Sequence, residues 1–216
     1  MPTLCRLLAP VLGAALVAFT AWAGPARAGA ATSDTVSAGV DNGPKAPPRH
    51  VMGDSDAPVT IVEFASLTCP HCREFHEQTL PKLKANWLET GKAKLVFTHY
   101  PLDRRALRAA TLSNCFEGER FFAVLDMLFS RQADWARADE LKKALKPIAA
   151  TAGLTDERLR ECLNDQAMAK RIVSKQLDAR ETHGIESTPT FLIDGEKVVG
   201  ARDYATFREK LEAAAE

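Results

Sequence analysis

The residues in this chain best suited to chemistry are two cysteines separated by two residues, in the run Cys69-Pro70-His71-Cys72. A thiolate attacks disulfides, and a sulfur that ionises easily is also a good leaving group, so such a pair can open and close a disulfide with another thiol. The apolar run Val59-Thr60-Ile61-Val62-Glu63-Phe64 predicts a strand leading towards the pair. The mixed run from Arg73 to Leu80 predicts a helix leading away from it. Pro70 suits the first helical position, where a missing N–H costs nothing, which makes Cys69 the N-cap and puts Cys72 in the first turn. Free backbone N–H groups and the positive end of the helix dipole then face the Cys69 sulfur and favour its thiolate. Metal binding competes poorly. A structural zinc wants four ligands, and the remaining cysteines are neither paired in sequence nor near a His-x-x-x-His spacing. A c-type haem needs His directly after the second cysteine, where Arg73 stands.

What a C-x-x-C pair can do depends on its compartment. Met1 to Arg6 carries one basic side chain, Leu7 to Ala23 carries no charge, and Ala26-Arg27-Ala28 has the small-x-small form of a cleavage site. These features predict a signal peptide over residues 1–28, cut after Ala28, with Ala23 and an uncleaved anchor as alternatives. Of the 5 cysteines, Cys5 leaves with the signal, so Cys69, Cys72, Cys115 and Cys162 remain in a chain bound for an oxidising compartment. The even count favours a structural disulfide between Cys115 and Cys162. Both also lie on apolar helical faces, so two free core thiols stay open as the other reading. The 28 Lys and Arg balance 28 Asp and Glu over 216 residues, which gives no basic field for nucleic acid and no acidic field for a basic partner.

The elements around the pair can be placed in order. Residues 29–57, rich in Ala, Gly, Ser and Pro, predict a flexible leader. The helix after the thiols should run to about Trp87, kinked at Pro81, and Lys94 to Tyr100 predicts a second strand stopped by Pro101. Together these form a βαβ unit in residues 58–103. Residues 104–183 show helical periodicity throughout, in four or five segments, with the Phe121–Phe129 stripe as core, Thr155 as an N-cap and Gly184 closing the block. In residues 184–216 two short strands flank Asp194-Gly195, a tight-hairpin signal, and a helix from Tyr204 to Ala215 ends the chain. His50, His76, His99 and His183 show no ligand spacing and are expected to be ordinary surface or core residues.

This order is similar to the thioredoxin fold. With the helical insertion after the first βαβ unit, Cys-Pro-His-Cys, Glu63 six residues before Cys69, Phe75 three residues after Cys72, and Gly184 to Thr190 before the hairpin, the chain resembles the exported DsbA-like thiol:disulfide oxidoreductases from about Val59 to Ala215. The resemblance implies an α/β, thioredoxin-like fold with a helical insertion and no cofactor. It implies that Cys69 attacks, Cys72 resolves, and His71 helps to hold the Cys69 thiolate, through its ring or its backbone N–H, with Pro70 supporting the site. It implies a cis bond at Thr188-Pro189 beside the thiols, with the Thr188 backbone available to a bound peptide, and a buried Glu63 that exchanges a proton with Cys72.

The expected activity is to introduce disulfides into reduced, cysteine-containing proteins of a periplasm, with a quinone-linked, DsbB-like membrane protein as reoxidant and no nucleic acid. Two other readings stand beside it. Thr188, where oxidant members often carry Val, points to a periplasmic reductase or isomerase, although the leader is too short and polar for the extra domain of dimeric isomerases. A peptide-binding chaperone independent of redox is the alternative from another class.

Overall fold

The computed structural model describes residues 50–216. The expected signal peptide and the leader up to residue 49 lie outside the described residues, and so does Cys5. A five-stranded sheet has the order β1-β3-β2-β4-β5. Its centre is β2 (Val59–Ala65), which runs parallel to β3 (Ala93–His99) and antiparallel to β4 (Thr190–Ile193). β5 (Glu196–Val199) closes a hairpin with β4 over Asp194 and Gly195, whose φ values of 44° and 92° are the two positive values that a tight primed turn demands.

One strand departs from the expected leader. β1 (His50–Met52) pairs antiparallel with β3, His50 opposite Phe97, so the leader does not extend to residue 57. Three residues are too few to show alternation, and the prolines before them suggest a loop. What holds the strand is tertiary: the His50 ring stacks on Phe121 at 3.3 Å and its Nε2 lies 2.9 Å from Asn114 Oδ1.

After β2 the chain enters a helical run of unusual winding. α1 (Pro70–Glu74) passes into a π-helical turn (Phe75–Thr79), then α2 (Leu80–Leu83), then a second π-helical turn (Lys84–Leu88). Pro81 has no N–H to give to the preceding turn, and the wide turn before it takes the place of a sharp kink. This turn buries Phe75, His76 and Thr79. Phe75 packs against Phe191 of β4 and against Phe207 of the terminal helix α9 (Tyr204–Ala214), at centroid distances of 4.5 and 5.3 Å. Truncating such a ring to Ala costs about 3–5 kcal/mol.

Between β3 and β4 come six helices: α3 (Arg104–Ser113), α4 (Gly118–Ser130), α5 (Gln132–Trp135), α6 (Leu141–Thr151), α7 (Asp156–Leu163) and α8 (Gln166–His183). That is six where four or five segments were expected, because the four-residue α5 is too short to show a period of its own. Caps set the ends: Asp103, Thr155 and Asp165 accept from the N–H of the third residue onward in α3, α7 and α8, and Gly184 ends α8 in the left-handed region at φ 57°. Cys115 and Cys162 are bonded, joining the end of α3 to α7. The Phe121, Leu125, Leu128 and Phe129 stripe of α4 is buried, as its spacing predicts.

Candidate active site

Cys69 and Cys72 are both free thiols, and the geometry treats them oppositely. Cys69 is the N-cap of α1, with Pro70 in its first turn. Its Sγ–H donates to the Thr188 carbonyl oxygen at 3.3 Å, and the residue is 6% exposed. Its pKa falls from 9.0 to about 5. The largest cause is a hydrogen bond from the Cys72 thiol; burial opposes it, and the Thr188 side chain and the backbone N–H groups of Cys72 and His71 add to it. In the thiol form the Thr188 hydroxyl is buried and unpartnered, so it is free to turn and donate once Cys69 ionises. Cys72 is fully buried, and burial first, then its bond to Cys69 and the charges of Cys69 and Glu63, push its pKa far up. One sulfur is therefore ready to ionise while the other keeps its proton.

The expected supporting residues fall around the pair. Thr188-Pro189 is cis and lies against Cys69. The cis-proline segment is tied in by Gly200 N–H, which donates to the Pro189 carbonyl, by the Thr190 hydroxyl, which donates to the Ser187 carbonyl, and by Tyr100 OH, which donates to the Ile185 carbonyl. The His71 ring does not touch Cys69. It turns outward, 72% exposed, with Nδ1 3.3 Å from Glu74 Oε2, so of its two possible routes to the thiolate the backbone N–H is the one present.

Glu63 sits beneath the thiols at 0% exposure, on the face of β2 that also carries Ile61 and Ala65. Its strand neighbours are Phe97 and Phe191, which offer no hydrogen bonds. A carboxylate sealed among aromatic rings needs a partner. That partner is His76, whose Nε2 lies 3.0 Å from Glu63 Oε1. The other carboxylate oxygen, Oε2, has no partner among the described residues. Burial pulls the His76 pKa down, but the Glu63 carboxylate and Asp126 outweigh it and hold the ring at about 9. His76 is thus a core residue, as one of the expected alternatives had it, and it is paired with the buried carboxylate.

Two contacts beyond the expected set reach the pair from the insertion. The buried Gln132 side chain of α5 donates to the carbonyls of Leu67 at 2.8 Å and Cys69 at 3.0 Å, fixing the loop that delivers the thiol. Asp103, the N-cap of α3, accepts from the Thr68 hydroxyl at 2.6 Å. Gln132 left no local signal, because its partners lie more than sixty positions away; His76 could have been found by asking which side chain reaches a buried Glu63.

The chain as a whole is similar to known proteins. The family model described as thioredoxin matches residues 45–213. The solved structure of Wolbachia pipientis alpha-DsbA1 is 33% identical, superposes with a TM-score of 0.73, and is matched over 78% of this chain and 92% of that one. This chain belongs to the thioredoxin family, in its DsbA-like branch. The oxidised BdbD of Bacillus subtilis superposes with a TM-score of 0.69 at 25% identity, over 77% of this chain and 92% of that one. Disulfide bond formation protein D of the same organism is 27% identical over 76% of both chains. Rickettsia relatives carrying the name protein-disulfide oxidoreductase match more narrowly: the chain spans about half their length, 56% in Rickettsia bellii.

Proposed function

We propose that this chain is an exported thiol:disulfide oxidoreductase that introduces disulfides into reduced, cysteine-containing proteins by cycling Cys69 and Cys72. The observation that carries the reading is the opposed treatment of the two sulfurs, Cys69 with its pKa lowered to about 5 and Cys72 with its pKa pushed up. A substrate thiolate attacks Cys69 of the Cys69–Cys72 disulfide, and Cys72 leaves and takes a proton. A second substrate thiolate then attacks the substrate sulfur of the mixed disulfide, and Cys69 leaves as its stable thiolate. The stability of that leaving group drives electrons from substrate to protein.

In this scheme Pro70 starts the helix, the His71 backbone N–H supports the thiolate, Thr188 and Pro189 frame the approach to Cys69, and Glu63 exchanges a proton with Cys72. The Thr188 backbone pairs with a bound peptide once its carbonyl no longer accepts from Sγ–H. Export to the periplasm agrees with the sequence of residues 1–28. Reoxidation by a quinone-linked, DsbB-like membrane protein completes the cycle.

One residue favours a second reading, a reductase or isomerase: Thr188 stands where oxidant members often carry Val. Its physical effect here runs the other way, because a hydroxyl that donates to the thiolate lowers the Cys69 pKa. The deciding experiment equilibrates purified protein against glutathione redox buffers and follows its oxidation of a reduced, unfolded substrate. The oxidase reading expects a potential well above that of thioredoxin and substrate oxidation that needs Cys69; a value near about −270 mV would mean a reductase.

A further inference from the structure

His76 is a buried titratable side chain in the π-helical turn just beyond the thiol pair, and exchange at Cys69 alone makes no use of it. Its ring is walled by aromatic groups: Phe129 of α4 stacks on it at 4.2 Å, and Phe75 and Phe97 meet it edge-on at 5.6 and 6.0 Å. Among the described residues, charge meets the ring at two edges. Nε2 faces Glu63 Oε1 of β2 at 3.0 Å, and Nδ1 faces Asp126 Oδ1 of α4 at 3.9 Å. The ring is 2% exposed, whereas the Asp126 side chain is 64% exposed. Asp126 therefore marks the solvent end of a short line of groups, and Glu63, whose charge is felt by Cys72, marks the inner end.

Cys72 needs such a line. When a thiolate opens the disulfide, Cys72 is released as an anion in a fully buried position with no solvent to protonate it. Glu63 Oε2 is unpartnered, and the other oxygen of the same carboxylate already holds a proton donor. We propose that His76 holds the proton that Cys72 takes up when the disulfide opens, passing it through Glu63, with Asp126 keeping the ring charged from the surface side. The proposal rests on the disulfide-exchange reading of the pair.

The step balances within the protein. A bond forms between the attacking sulfur and Cys69, the Cys69–Cys72 bond breaks, and its electron pair goes to Cys72. The proton leaves Nε2 of the imidazolium for Glu63, and Glu63 gives one to Cys72 Sγ. When the Cys72 thiol later attacks a mixed disulfide at Cys69, its proton returns to Glu63 and the ring. The groups that face His76 are Glu63 and Asp126, with Cys72 and Cys69 beyond Glu63, so these are the charges that set its titration.

The test uses the full-length oxidised protein, dithiothreitol as attacking thiol, and rapid-mixing rates per reagent thiolate from pH 5 to 10. Wild type should hold a level rate until His76 loses its proton near pH 9 and then slow. His76→Gln keeps a donor towards Glu63 but does not titrate; it should open about 100-fold more slowly, the size of a lost general acid, while Cys69 still ionises at about 5. Asp126→Asn, a surface change, should slow opening by about threefold, as for a screened charge, and move the alkaline fall to lower pH. A wild-type rate in His76→Gln, a loss of rate matched by a shift in the Cys69 titration, or an unmoved alkaline fall in Asp126→Asn each overturn the proposal. Should His76→Gln fail to fold, the Asp126→Asn profile decides alone. Wild-type protein that does not react with dithiothreitol would refute the exchange reading itself, whereas a reactive wild type with variants equal to it refutes only the proton path.

Discussion

Lowering the pH should weaken the reduced protein relative to the oxidised one, and the size of that loss follows from Cys69. In the folded dithiol form Cys69 ionises at about 5, against 9.0 for an unperturbed thiol. A group with a lowered folded pKa adds stability that is complete above its unfolded pKa and is lost as pH falls through the folded one. At pH 7, two units above the folded value, the contribution is about 2.7 kcal/mol at 1.36 kcal/mol per unit. By pH 4 almost none remains. The adjoining Pro70 and His71 are exposed, so screening discounts the figure by about half, to about 1.4 kcal/mol. The oxidised protein has no Cys69 thiol to titrate, so the difference between the two forms isolates this group from every other. The same energy corresponds to about 30–60 mV of oxidising poise, since 30 mV is about 1.4 kcal/mol for two electrons. Urea unfolding of both forms at pH 7, 5.5 and 4, beside a direct ultraviolet titration of the thiolate, measures it. A reduced-minus-oxidised difference that stays flat over this range, or a Cys69 titration near 8.5, would refute the reasoning.

Three further outcomes follow from the packing. Gln132→Leu keeps the volume but strips the Leu67 and Cys69 carbonyls of their donor, and should cost about 2 kcal/mol in denaturant unfolding, a typical cost for unsatisfied buried groups. Burial, with His50 alongside, lowers the His99 pKa from 6.5 to about 3, so His99 adds stability above pH 6.5 that is lost as pH falls towards 3; in oxidised protein His99→Gln should flatten the acid limb of the stability curve. Replacing Cys115 and Cys162 together by Ala opens a loop closed across a separation of 47 residues and should lower stability by about 4 kcal/mol in the chain-entropy model, read as a lower denaturant midpoint.

What could be read in advance was whatever depends on near neighbours. Pro70 at the start of α1 places Cys69 at the N-cap, and Asp194-Gly195 forces a turn whose hand only positive φ satisfies. Glu63 was legible because alternation along β2 sends it to the face of Ile61 and Ala65, where an unpaired charge would be costly. His76 escaped because its partner, Glu63 on β2, is brought to it by tertiary packing that spacing along the helix does not reveal. The strand at His50–Met52 escaped because its pairing with β3 and its stack on Phe121 are tertiary. Gln132 is a polar residue at the end of an apolar stripe, and nothing local tells it apart from a solvated one.

The helical insertion then has a more specific task than covering the pair. Disulfide exchange needs the two sulfurs to differ, and the βαβ unit provides part of that difference, since one helix start exposes N–H groups to Cys69 and buries Cys72 a turn deeper. The remainder comes from the insertion. Gln132 of α5 fixes the carbonyls of Leu67 and Cys69 and so the direction in which Sγ is presented, and Asp103 ties Thr68 of the same loop to the start of α3. Phe129 and Asp126 of α4 cover His76 and charge its outer edge. An insertion that only capped the sheet could turn on its hinges without altering the chemistry. One that holds the loop before Cys69 and the ring paired with Glu63 cannot, because a shift of α4 or α5 would disturb both Cys69 and the buried Glu63–His76 pair.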